Sequence, residues 1–240
     1  MNTSVLPNIN TDLVEMAPHF QFAHSVDCVI FGYDKGVLNV LLIESDHPDY
    51  RGQWSLLGDL LRPNEDLDAA SYRVLRERTG LTDMFLEQVK TFGEVDRHPA
   101  GRVITTAYLS LVNVRDHQLK SIDNALQWRS VNDIDTMAFD HKMILDACLA
   151  VLKRKIQEEP IIFNLLEKKF SLRNLQLVFE QILGMSFDRR NFRKKLFTTG
   201  LLVDQGEMER NVKHRPGKLY SFNREAYDQI KKKSFVGLQF

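Results

Sequence analysis

From Gly52 to Leu81 the chain reads GQWSLLGDLLRPNEDLDAASYRVLRERTGL: a strand, a glycine turn, a loop and a helix closed by Gly80. Its acids include Asp59, Glu65 and Glu77, and its cations include Arg73, Arg76 and Arg78. Carboxylates along such a helix could hold a divalent cation such as Mg²⁺. Mg²⁺ takes oxygen ligands, carboxylates above all, beside waters and phosphate. Val74 offers no oxygen. Arg78 would repel the ion by several kcal/mol at roughly 4 Å and an effective dielectric of about 20. The stretch is a poor cation site, so no catalytic residue, metal ligand or cofactor is assigned.

A second concentration of charge follows in GEVDRHPAGR, residues 93–102, between two strands. Its arginines, Arg97 and Arg102, could grip phosphate or sugar hydroxyls, and Trp54 could stack on a ring. A charged hairpin with internal ion pairs is the competing reading. His47 and His98 each precede a proline and read as surface loop residues. The candidate effector contacts are Trp54, Glu65, Arg73, Glu77, Glu94, Asp96, Arg97 and Arg102.

The formal net charge is zero, but it is unevenly spread. Residues 1–159 hold 16 Lys and Arg against 24 Asp and Glu; residues 160–240 hold 16 against 8. An acidic first part joined to a basic last part points to a nucleic-acid partner for the tail. Asp188 can cap a helix over RRNFRKKL, in which Phe192 and Leu196, four apart, face inward. Arg189, Arg190, Asn191, Arg193, Lys194 and Lys195 then face mostly outward. A hairpin that follows carries Lys213, Arg215 and Lys218.

The elements that position these residues follow from patterning. Residues 1–19 read as a loose arm. Phe20–Phe31 is a strand, Gly32–Gly36 a turn and Val37–Ile43 its partner. The helix of the first stretch starts near Asn64–Asp66 and buries Leu67, Ala70, Val74 and Leu75. Leu86–Phe92 and Val103–Val112 are strands, and Met137–Gln157 has helical spacing. After Glu158-Glu159-Pro160 the pattern changes to short helices, Ile161–Lys168 and Ser171–Leu183, with short strands Leu201–Val203 and Lys218–Phe222. Cys28 and Cys148 sit far apart in apolar runs, which fits a reducing cytosol rather than a disulfide framework. No apolar run reaches the roughly 18 residues of a membrane span, and no secretory signal pattern opens the chain.

The first stretch resembles the Nudix box, whose pattern is Gly, five residues, Glu, seven residues, Arg-Glu-apolar-any-Glu-Glu-any-Gly-apolar. With Gly80 as anchor, Glu65 and Arg73 fall on the box glutamate and arginine. Asp59 replaces its first glycine, Val74 the glutamate after the arginine, and Arg78 one of the closing pair. In that family the helix glutamates hold Mg²⁺ against a diphosphate and activate water, so the resemblance implies a pocket that binds without hydrolysing. The short helices with a basic third helix and hairpin resemble a winged helix-turn-helix, whose third helix enters the major groove. Together they resemble the Nudix-related transcriptional regulators. That resemblance implies an α+β chain: an arm over 1–19, a Nudix-like α/β/α sandwich with a mixed sheet over 20–158 that binds an effector, and a winged helix-turn-helix over 159–240 that binds DNA. It implies a cytoplasmic homodimer on double-stranded operator DNA, mostly a repressor, responding to ADP-ribose or to a sugar such as arabinose. The DNA contacts it implies are Arg189, Arg190, Asn191, Arg193, Lys194, Lys195, Lys213, Arg215 and Lys218. The rival is an active Nudix hydrolase of ADP-ribose or a related nucleoside diphosphate compound.

Overall fold

The computed structural model describes residues 22–82, 84–115, 126–212 and 215–231. Strands β1 (Ala23–Asp34) and β2 (Val37–Glu44) form a hairpin over Lys35-Gly36. Those two residues have φ of +48° and +89°, the geometry that matches the twist of a two-residue hairpin. The turn is thus shorter than the sequence suggested, because β1 runs on through Gly32. A glycine is needed there for packing: a Cβ would lie 2.5 Å from Val114 Cγ2 and 2.7 Å from the Trp128 ring.

The chain then bends. Strand β3 (Trp54–Ser55) pairs with β2, whereas β4 (Leu57–Leu60) pairs with β1. Strands β5 (Leu86–Phe92), β6 (Val103–Asn113) and β7 (Leu126–Ser130) complete a seven-stranded mixed sheet. In it β6 lies parallel to β1 over its whole length, from Ala23↔Val103 to Tyr33↔Asn113.

Helix α1 (Leu67–Thr79) covers one face, packing Ala70, Val74 and Leu75 with Val26, Cys28, Ile30 and Tyr108. Helix α2 (His141–Glu158) belongs to the other face with Val29, Phe31, Leu109 and Leu111. Covering both faces explains why the middle of β1 is apolar without alternation. Asp27 is the exception. The second helix begins at His141 rather than Met137, since Phe139 adopts a left-handed φ of +54° just before it.

Past Glu159 the chain makes a 3₁₀ turn, Pro160–Leu165, shorter than the helix expected over Ile161–Lys168. The tighter turn places Ile162 and Leu165, three apart, on one side, and both are buried. Strand β8 (Phe170–Ser171) leads into α3 (Leu172–Leu183), capped by Ser171 and ended by left-handed Gly184. Helix α4 (Arg189–Thr198) follows, then β9 (Leu202–Met208), longer than Leu201–Val203, and β10 (Lys218–Phe222). Helix α5 (Arg224–Lys231), unforeseen in the sequence, starts where Asn223 Oδ1 accepts from Ala226 N at 3.0 Å. Strand β10 pairs with both β8 and β9. The result is a mixed α+β chain, a Nudix-like sandwich followed by a winged helix. The apolar residues of the 3₁₀ turn join the two cores. Arg115 ties the units further, donating to Asp34 at 3.1 Å and to Glu167 at 2.8 Å.

Candidate functional site

In the box, Arg73 sits almost fully buried among carboxylates. Its guanidinium donates to Glu65 at 2.6 and 2.8 Å, to Asp59 at 2.7 Å and to the Leu60 carbonyl at 2.9 Å. Glu77, on the next turn, lies 3.4 Å from Arg73 and 3.2 Å from Arg62. The hydrogen bonds from Arg73 hold Glu65 down to about 2. The box acids are therefore tied to arginine, and Val74, only 1% exposed, faces the core. A hard divalent cation would need several free oxygen ligands, so this donor set does not fit one. Among the described residues no three His, Cys, Asp or Glu side chains gather as a metal-binding group.

A cavity of about 480 Å³ opens between the β3–β4 bend, the loops after β2 and β5, and the start of α2. Its floor is a buried polar cluster. Arg97 is bidentate to Asp140, at 2.8 and 2.7 Å, and reaches Asp27 at 3.8 Å. Asp27 also accepts from Thr105 Oγ1 at 2.7 Å. Gly58 makes room for that carboxylate, since a Cβ there would fall 2.3 Å from Asp27 Oδ1 and 2.9 Å from the Val26 carbonyl.

The bend between β3 and β4 frees the Leu56 amide, which donates to His141 Nδ1 at 3.0 Å. An N–H can only donate, so Nδ1 is an acceptor and the imidazole proton sits on Nε2, 3.6 Å from Asp27 Oδ1. Ser55 Oγ also lies 3.0 Å from Nδ1. Ser55, His141 and Asp27 share the composition of a nucleophilic triad but not its wiring. The nitrogen facing the serine is occupied by a backbone donor and cannot take its proton.

Burial lowers the pKa of His141, against the opposing pull of Asp27 and Asp140 and with a smaller lowering from Arg97. Burial likewise lowers His24 and His98. Below the ordinary histidine value of 6.5 the unfolded chain therefore binds protons that the folded chain refuses. Stability is full above that pH and falls as the pH drops below it. The melting temperature should decline between pH 6.5 and 5, before Glu65 begins to contribute below its ordinary 4.5. A flat melting profile between those pH values, read by circular dichroism, would contradict the neutral histidine.

The cavity rim is aromatic. Phe139 stacks on His98 with centroids 5.0 Å apart and an interplanar angle of 10°, and His47 meets its edge at 5.5 Å. Tyr50 packs on the same ring at 4.4 Å. His47 and His98, read as surface loop residues, are half-buried parts of this group.

Of the eight candidate effector contacts, Arg97 lines the cavity. Trp54 is half-buried beneath Arg129, whose guanidinium lies 4.7 Å from its ring. Glu65, Arg73 and Glu77 form the ion cage of the box. Glu94 and Asp96 are exposed, and Arg102 donates to the carbonyls of Gly93 and Glu94 at 2.7 and 2.9 Å, closing the loop's base. Asp27, Glu44, Asp46, Phe139 and His141 line the cavity without having been selected. The available signal was Asp27, a lone acid inside SVDCVIF.

In the winged helix, Asp188 caps α4 by accepting from Asn191 N at 2.9 Å. Glu180 sets the turn before it, accepting from Phe187 N and Gln176 Nε2, each at 2.8 Å. With Phe192 and Leu196 buried, Arg189, Arg190, Asn191, Arg193, Lys194 and Lys195 are all exposed. Arg215 is exposed near the wing, and Lys218 pairs with Asp204 across the strands at 2.9 Å. Lys213 and the N-terminal arm lie outside the described residues.

A mixed sheet carrying a box helix and followed by a capped basic helix with a wing defines a two-part regulator. The NUDIX domain family matches residues 21–148, and the NrtR DNA-binding winged helix domain matches residues 162–222. The chain belongs to the Nudix-related transcriptional regulators. It is 31% identical over 211 residues to the ADPR responsive transcriptional repressor NtrR of Acinetobacter baylyi, covering 85% of this chain and 83% of that one. The crystal structure of Shewanella oneidensis NrtR complexed with a 27mer DNA is similar at TM-score 0.73 and 29% identity, covering 85% of this chain and 95% of that one. An ADP-ribose pyrophosphatase of Methanocaldococcus jannaschii is 27% identical over 136 residues, 56% of this chain and 77% of its own length.

Proposed function

We propose that this protein is a transcriptional repressor whose Nudix-like unit, residues 20–158, binds ADP-ribose and whose winged helix unit, residues 159–240, binds operator DNA. The observation that carries this reading is that the likeness to an ADPR responsive repressor runs through both units, over 85% of the chain. It favours ADP-ribose over arabinose as effector. The cavity is suited to such a ligand in having an aromatic rim, sugar-compatible acids and cations in one place.

The Nudix-like unit acts as a sensor and not as a hydrolase. Hydrolysis needs a cation-bound water, and the box carboxylates are engaged by Arg73. The working form is a cytoplasmic homodimer whose two α4 helices meet half-sites about 34–36 Å apart. No helix among the described residues is long and apolar enough to cross a membrane. ADP-ribose can release DNA only by favouring the arrangement that fits DNA poorly, and bound DNA must weaken ADP-ribose by the same factor.

Thermal shift of the full chain against ADP-ribose, arabinose and xylose, with and without Mg²⁺, tests the effector. At a hundredfold excess over Kd, a ligand of the native state adds about 2.7 kcal/mol. The expected result is a rise with ADP-ribose alone, independent of Mg²⁺ and without product. A response to a free sugar instead, or Mg²⁺-dependent consumption of ADP-ribose, would overturn the assignment.

A further inference from the structure

We infer that Arg78 grips the anionic group of the effector directly, so that the cavity holds a phosphorylated sugar ligand without a divalent cation. The inference rests on the effector reading above. Arg78 stands on the exposed side of the last turn of α1 and lines the cavity. The other arginine in that lining, Arg97, is engaged by its two bonds to Asp140 and its approach to Asp27. Among the described cavity residues Arg78 is the arginine with no ion pair.

The surroundings make this cation necessary. Glu44 and Asp46 also line the cavity and are exposed. They suit sugar hydroxyls, which donate hydrogen bonds to carboxylates, but they repel a phosphate. A bound metal would ordinarily offset such repulsion. Here Asp59 and Glu65 are spent on Arg73, and Val74 is buried and apolar. A guanidinium at residue 78 supplies positive charge from the same helix that would otherwise carry the ion. Its planar donors match two phosphate oxygens at once. The residue that spoils the metal site is thereby the one that makes the metal unnecessary.

Isothermal titration of the full chain with ADP-ribose, in EDTA and in Mg²⁺, tests this on wild type, Arg78→Ala and Arg78→Lys. Wild-type affinity should be the same in both buffers. Arg78→Ala should bind about ten- to a hundredfold more weakly, the effect of losing a charge-assisted hydrogen bond, with Arg78→Lys in between. The melting temperature of both variants should match wild type, since the side chain is exposed. Equal affinity of Arg78→Ala and wild type, or loss of wild-type binding in EDTA, overturns the role of Arg78 and leaves the effector reading standing. No wild-type binding in either buffer overturns both.

Discussion

Arg193→Ala should lower affinity for operator DNA by about ten- to a hundredfold without shifting the melting temperature. The size follows from the roughly 1–3 kcal/mol that one good base contact contributes to discrimination. Arg193 lies on the exposed side of α4, one position after buried Phe192, so its removal opens no cavity. The helix itself stays in place, because Asp188, Phe192 and Leu196 hold it. If Arg193 reads a base, the loss should be larger on operator than on random duplex. If it touches phosphate, both should fall together and the salt slope should shrink by about one. Unchanged affinity in an anisotropy titration would remove α4 from the interface.

Arg97→Met should destabilise the Nudix-like unit by about 3–5 kcal/mol, the usual cost of leaving buried charge without its partner. The side chain of Arg97 is 3% exposed, those of Asp27 and Asp140 only 6% and 13%. Removing the guanidinium leaves two carboxylates facing each other across the cavity floor. Adding Asp140→Leu to Arg97→Met should recover much of the loss, since a buried pair exchanged for apolar groups is often tolerated. Denaturant unfolding followed in the first unit measures both. A loss below about 1 kcal/mol for the single change would mean that water reaches the cluster and screens it.

The parts of the molecule that could be read from sequence are those built from neighbouring residues. The box helix carries its own start at Asp66 and its own stop at Gly80, and both caps form as expected. Helix α4 likewise brings its cap, core residues and basic face within ten residues. The cavity is different. Asp27 comes from β1, His47 and Tyr50 from one loop, Arg97 and His98 from another, and Phe139 to His141 from the lead into α2. No one segment shows that these residues share a site, and only the fold of β1, the β3–β4 bend and the loops around them brings them together.

Two local readings are refined by the fold. The charged loop of residues 93–102 sends Arg97 to the cavity, while Arg102 donates to the loop's own carbonyls. The apolar run after Pro160 is helical, but as a 3₁₀ turn over Pro160–Leu165 that stops short of Lys168. Local pattern does not register a constraint imposed by a distant partner.

On the function proposed above, one chain couples ADP-ribose to DNA release. The direct measurement begins with duplexes selected from a random pool by the full-length protein. The tightest of them is then titrated by fluorescence anisotropy, with and without saturating ADP-ribose. The expected result is a paired half-site sequence, affinity that falls steeply with salt, and a Kd raised at least fivefold by ADP-ribose, the lower end of ordinary allosteric coupling. Tight, specific binding that ADP-ribose leaves unchanged would contradict the account, because the two units would then be joined in sequence but not in energy.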